Sequence, residues 1–167
     1  PVGNTATIVG TSFAETLTGS SGDDTIQGAG GNDVIRGNNG NDELTAGSGN
    51  DQLYGDNGND TLTANSGSNK LFGGAGDDVI AAGTGTDLIT AGAGDDTINL
   101  SNSSGDTLIY SGHTSNLNGS DTVATFQSND VHNFSVLRFP KFVPALTLTK
   151  NLPSPVLENS STSIGIL

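Results

Sequence analysis

The chain contains no cysteine, methionine or tryptophan, only two tyrosines, and five basic residues against 18 acidic ones in 167 residues. Without cysteine there are no disulfides and no thiolate metal sites. With hydrophobic residues at 32% and large side chains scarce, a conventional packed interior has little to bury. A net charge of -13 repels phosphate backbones, so nucleic acid is not an expected partner. No run of about 18 apolar residues exists to span a membrane. The first 25 residues lack the basic and apolar regions of a secretory signal peptide, and a chain opening at Pro1 is expected to be a fragment or processed product.

Low hydrophobicity with this charge would suit a disordered chain. The 25 glycines argue otherwise, because they recur at fixed intervals between single aliphatic residues. From Gly10 a period of nine runs without a gap through ten units, from GTSFAETLT to AGAGDDTIN. Position eight is always aliphatic: Leu17, Ile26, Ile35, Leu44, Leu53, Leu62, Leu71, Ile80, Ile89 and Ile98. Position four is glycine in nine units and position six is aspartate in eight, the exceptions at six being Glu15 and Asn69. Residues 10–99 hold 14 acids against Arg36 and Lys70, a balance of -12, so the acidity belongs to the repeat.

A period of nine fits neither a helical stripe nor a long alternating strand. It predicts a three-residue strand, its central aliphatic side chain inward, followed by a six-residue turn that uses glycine where the backbone needs positive φ or close approach. Two units then make one coil of a flattened helix with a thin aliphatic ladder between two sheets.

This pattern closely resembles the GGxGxDxUx nonapeptide of RTX proteins, the repeat-in-toxin family exported by bacterial type I secretion. The resemblance covers residues 10–99 and implies an all-β fold, a right-handed parallel β-roll (β-solenoid) of ten nonapeptide repeats. Alanine at several first positions (Ala46, Ala64, Ala82, Ala91) departs from that consensus but removes no side-chain ligand.

The resemblance also implies calcium, held between the turn of one unit and the turn two units later by both sixth-position aspartates. Calcium takes six to eight oxygens, and glycine-rich turns present carbonyls readily. An even file is then expected at Asp24, Asp42, Asp60, Asp78 and Asp96, with turn glycines Gly22, Gly40, Gly58, Gly76 and Gly94. An odd file runs through Glu15, Asp33, Asp51, Asn69 and Asp87, with Gly31, Gly49 and Gly85. Second-position carbonyls, including those of Gly47, Gly74, Gly83 and Gly92, are expected to complete the shells. The first unit, with Phe13 in place of glycine, reads as a cap, and Asn69 is expected to weaken both sites it touches. The count comes to about five strong sites and at most roughly eight. Against this stands the plain alternative that Asp and Asn merely cap their own turns. The strictness of position six beside a freely drifting position five favours the metal.

The remaining segments carry weaker signals. Residues 1–9 read as a lead-in, 100–150 as a degenerate repeat around Asp106 followed by a β-rich cap, and 151–167 as an irregular tail or linker. The runs TLIY, DTVATF, FSVLRF and ALTLT have strand character. The ending PVLENSSTSIGIL resembles both a C-terminal export signal and the entry to a cadherin-like adhesin repeat. His113 and His132 lack metal-site spacing, and no nucleophile elbow, Walker loop or EF-hand is present. The chain is therefore expected to be a non-enzymatic module, secreted or at the bacterial surface, that folds on calcium and could self-assemble or continue into a larger surface protein. Ice binding, an adhesin segment and the exported tail of a hydrolase are the alternatives.

Overall fold

In a computed structural model the described residues are 3–100 and 105–109, together with the strand backbones at 122–124, 131–133 and 147–148. They form a parallel β-roll. Strands β1 (Thr7–Val9), β3 (Thr25–Gly30), β5 (Glu43–Ser48), β7 (Thr61–Ser66), β9 (Val79–Ala81), β11 (Thr97–Asn99), β13 (Thr122–Ala124) and β15 (Thr147–Leu148) make one sheet in that spatial order. Facing it is the sheet of β2 (Thr16–Thr18), β4 (Val34–Asn39), β6 (Gln52–Asn57), β8 (Lys70–Ala75), β10 (Leu88–Ala93), β12 (Thr107–Ile109) and β14 (Val131–Asn133). Each strand pairs in parallel with the one two places on, and within the repeat residue i lies beside i+18, as Ile26 beside Leu44 and Leu53 beside Leu71. Successive nonapeptides thus alternate between sheets, and two make a coil.

The eighth-position side chains from Ile26 to Ile98 are fully buried and form the core, with Leu100 and Leu108 beyond them. Ala46, Ala64, Ala82 and Ala91 add a second buried row, so alanine at position one is a core contact.

Several strands are longer than the sequence pattern predicts. β3 to β8 and β10 have six residues, because pairing resumes across positions two and three of the following unit. Position two achieves this with positive φ, even where it is not glycine: Ala29 (74°), Asn38 (83°), Asp56 (74°) and Asn65 (68°). The roll also begins earlier. Ile8 stands beside Ile26, so Thr7–Val9 supplies a further rung. After Asn99 the register slips by one residue as expected, and Leu108 pairs with Ile89. The strand backbones of β13, β14 and β15 continue the same parallel ladders. The expected strand at 134–139, the tail at 151–167 and His113 lie outside the described residues.

Outside the sheet of β2 to β14, position nine carries a stack built from consecutive coils. The Tyr54 and Phe72 rings lie 4.8 Å apart and nearly parallel. The Arg36 guanidinium covers the other face of Tyr54 at 4.5 Å and pairs with Asp56 at 2.7 Å.

Candidate metal centre

The sixth-position side chains enter the roll. Asp24, Asp33, Asp42, Asp51, Asp60, Asp78, Asp87 and Asp96 are all 1–2% exposed, and Asp106, in the slipped unit, is fully buried. They form two files, one in each set of alternate turns. Within a file, each residue's backbone N–H donates to Oδ1 of the aspartate one coil on: Asp24 to Asp42 at 2.8 Å, Asp42 to Asp60 at 2.8 Å, Asp60 to Asp78 at 2.8 Å and Asp78 to Asp96 at 2.9 Å. The other file runs from Glu15 N–H to Asp33 (2.9 Å), Asp33 to Asp51 (2.7 Å), Asp51 to Asn69 (2.8 Å), Asn69 to Asp87 (2.8 Å) and Asp87 to Asp106 (2.9 Å).

One carboxylate oxygen is therefore a backbone acceptor, a duty that asparagine performs as well. The second oxygen is different. Oδ2 of Asp33, Asp42, Asp51, Asp60, Asp78 and Asp87 is buried with no hydrogen-bond partner. A buried, unpartnered anionic oxygen is costly, and one on each of several successive turns calls for either a proton or a countercharge. Burial pushes the Asp60 and Asp87 carboxyls up to about 6 and that of Asp78 up to about 7, and raises those of Asp42 and Asp51. The backbone hydrogen bond on Oδ1 opposes this shift in every case, and neighbouring aspartates reinforce it.

Backbone oxygens converge on the same place. A Cβ added to Gly37 would meet Asp42 Oδ2 at 2.2 Å and the Gly55 carbonyl at 2.9 Å; on Gly55 it would meet Asp60 Oδ2 at 2.3 Å and the Gly73 carbonyl at 2.5 Å; on Gly73 it would meet Asp78 Oδ2 at 2.3 Å and the Ala91 carbonyl at 2.4 Å. First-position carbonyls thus point back along the roll beside the orphan oxygens. The sequence reading did not single them out, although the consensus glycine at position one was the available signal. No three His, Asp or Glu side chains converge among the described residues. The donor set is carboxylate pairs with carbonyls, a hard, all-oxygen environment that fits calcium.

The turn glycines are packed closely from coil to coil. Their carbonyls are stacked coil on coil, and a Cβ on Gly49, Gly58, Gly76, Gly85 or Gly94 would lie 1.6–2.2 Å from the fourth-position carbonyl below. A Cβ on Gly40 would crowd the Gly22 carbonyl, and one on Gly31 the backbone of Phe13. The second-position glycines Gly47, Gly74, Gly83 and Gly92 are stacked likewise, 2.0–2.3 Å from the carbonyl below.

Both files change character at the first units. The Glu15 carboxylate accepts the N–H (2.6 Å) and hydroxyl (3.1 Å) of Thr11 in its own turn. Asp24 accepts backbone N–H groups from Ala6 on Oδ1 and from Ser20 on Oδ2, so both of its oxygens have partners within the protein. Position five, which the sequence leaves free, carries a second, exposed ladder: Asn50 N–H to Asn32, Asn59 N–H to Asn41 and Asp77 N–H to Asn59, at 2.9–3.0 Å. There asparagine serves as well as aspartate.

No curated protein matches the chain. A family profile matches four times, at residues 9–44, 29–62, 36–71 and 63–98, together spanning more than half of it. With the period, the parallel roll and the two buried aspartate files, this places the chain in the family of RTX calcium-binding nonapeptide repeats.

Proposed function

We propose that this calcium-binding β-roll works as a non-catalytic module that folds on meeting calcium outside the cell, giving a secreted or surface protein a rigid element. The observation that carries the proposal is the row of buried Oδ2 atoms on Asp33, Asp42, Asp51, Asp60, Asp78 and Asp87. Turn capping accounts for Oδ1 and leaves Oδ2 without a role. The contrast with position five supports the reading: where only a backbone acceptor is required, Asn32, Asn41, Asn50 and Asn59 supply it.

Each orphan oxygen, with the sixth-position residue of the next coil and a first-position carbonyl, makes one candidate rung. That gives six rungs, five between two carboxylates and one between Asp51 and Asn69. Asp106 joins the ligand set through its rung with Asp87. In calcium-poor surroundings the unbalanced files oppose folding, and where calcium is plentiful its binding free energy becomes folding free energy. Strands β12 to β15 prolong the roll, and protecting the aliphatic ladder from edge pairing is the role this reading gives them.

Far-UV circular dichroism during a calcium titration of stripped chain, with magnesium as control, tests this reading. A cooperative coil-to-β transition with calcium alone is expected; β structure already complete in chelator and unchanged by calcium would overturn it.

A further inference from the structure

We propose that Asn69 is a built-in, metal-free staple that replaces calcium at one rung, between Asn69 and Asp87, and divides the odd file into two separately loaded blocks. The inference rests on the calcium reading above and refines it, since the sequence alone implied that both rungs touching Asn69 are merely weakened.

The backbone fixes the orientation of the Asn69 side chain. Asp51 N–H donates to it at 2.8 Å, so the atom facing Asp51 has to be the acceptor, Oδ1. The amide nitrogen must then take the place that Oδ2 holds in every neighbouring aspartate. From there Asn69 Nδ2 donates to Asp87 Oδ1 at 3.0 Å, while Asn69 N–H reaches the same oxygen at 2.8 Å. Nδ2 is buried with its residue and is satisfied, whereas its counterparts in Asp51 and Asp87 are orphaned.

The two rungs therefore differ in kind. Toward Asp51 the residue presents an oxygen, and a cation there still has the Asp51 carboxylate and the Asn69 carbonyl. Toward Asp87 it presents an N–H dipole with its positive end inward, which both satisfies Asp87 Oδ1 and repels a cation. The 69/87 rung closes without metal, so one contact between successive coils persists when calcium is withdrawn.

Asn69→Asp and Asp60→Asn in the full chain make a reciprocal test by isothermal titration with calcium chloride. Asn69→Asp is expected to bind one more ion per chain than the unaltered protein and to retain less β structure in chelator. Asp60→Asn, which builds the same amide into the unbroken file, is expected to bind one fewer and to retain more. An unchanged ion count in Asn69→Asp, beside a reduced one in Asp60→Asn, overturns the staple and leaves the calcium reading standing. No calcium binding by the unaltered chain overturns both. Should Asn69→Asp not fold, the Asn69 side-chain amide of the unaltered, calcium-loaded protein decides by hydrogen exchange in NMR spectra. A protected amide supports the staple, and exchange at the rate of an exposed asparagine overturns it.

Discussion

Two constraints meet at each fourth-position glycine, and Gly58 shows both. Its φ of 126° lies outside the range that L side chains tolerate, and an added Cβ would lie 1.9 Å from the Gly40 carbonyl of the coil below. Neither constraint can relax without separating two coils. Gly58→Ala is expected to cost at least about 3 kcal/mol, the scale of a strained backbone with a further clash, read as a lowered midpoint in urea denaturation under saturating calcium. Ala29 makes the opposite case: it holds φ 74° with a Cβ in place. Ala29→Gly relieves that strain at an entropic cost in the unfolded chain, and a net gain of about 0.5–1 kcal/mol is expected in the same measurement. The rule also explains Phe13, which stands at position four of the first unit. Among the described residues no coil lies below it in its file, so no carbonyl occupies the space of its side chain, which projects into solvent at 75% exposure.

Strands in this roll gain side-chain contacts from residues 18 apart, which is why the stack of Arg36, Tyr54 and Phe72 leaves little trace in a nine-residue pattern. Tyr54 is the centre, with a guanidinium on one face and a ring on the other. Tyr54→Ala removes a cation–π contact and an aromatic pair, and is expected to destabilise the calcium-loaded roll by about 1–2 kcal/mol in thermal denaturation, with no change in the number of ions bound. A matched loss of ions would mean that this face and the turns are coupled. What was legible in the sequence follows the same geometry. The invariant aliphatic position eight exposed the period, the two sheets and the core, and Asp/Asn at position six exposed both files, including the slip to Asp106. Ile8 was missed because Asn4 and Ala6 stand where glycine and aspartate would mark a unit, although its aliphatic side chain is in phase. The division of labour between the two carboxylate oxygens was also illegible, because composition does not show which oxygen the backbone occupies. Only the folded structure distinguishes Asp51, with its orphan Oδ2, from Asn69, with its satisfied Nδ2.

At the scale of the whole roll, the proposed sites make protons and calcium competitors for the same oxygens, and the sign of the pH dependence depends on which is available. Without metal, the Asp60 and Asp87 carboxyls titrate at about 6 and that of Asp78 at about 7 in the folded chain, all raised from 3.8. A group whose pKa is raised by folding stabilises the fold while protonated, so its contribution is present below its unfolded value and is lost as pH rises through the folded one. Calcium-free chain is therefore expected to gain β structure as pH falls from about 8 to about 5, because acid neutralises the buried rungs that calcium otherwise would. Under limiting calcium the trend reverses, since protonation removes the ligands. Circular dichroism across that pH range, in calcium-free buffer and again at half-saturating calcium, should give slopes of opposite sign. If the calcium-free chain were more structured at the alkaline end, the buried carboxylates would have to be stabilised as anions by the protein itself, and the metal would have no charge left to cancel.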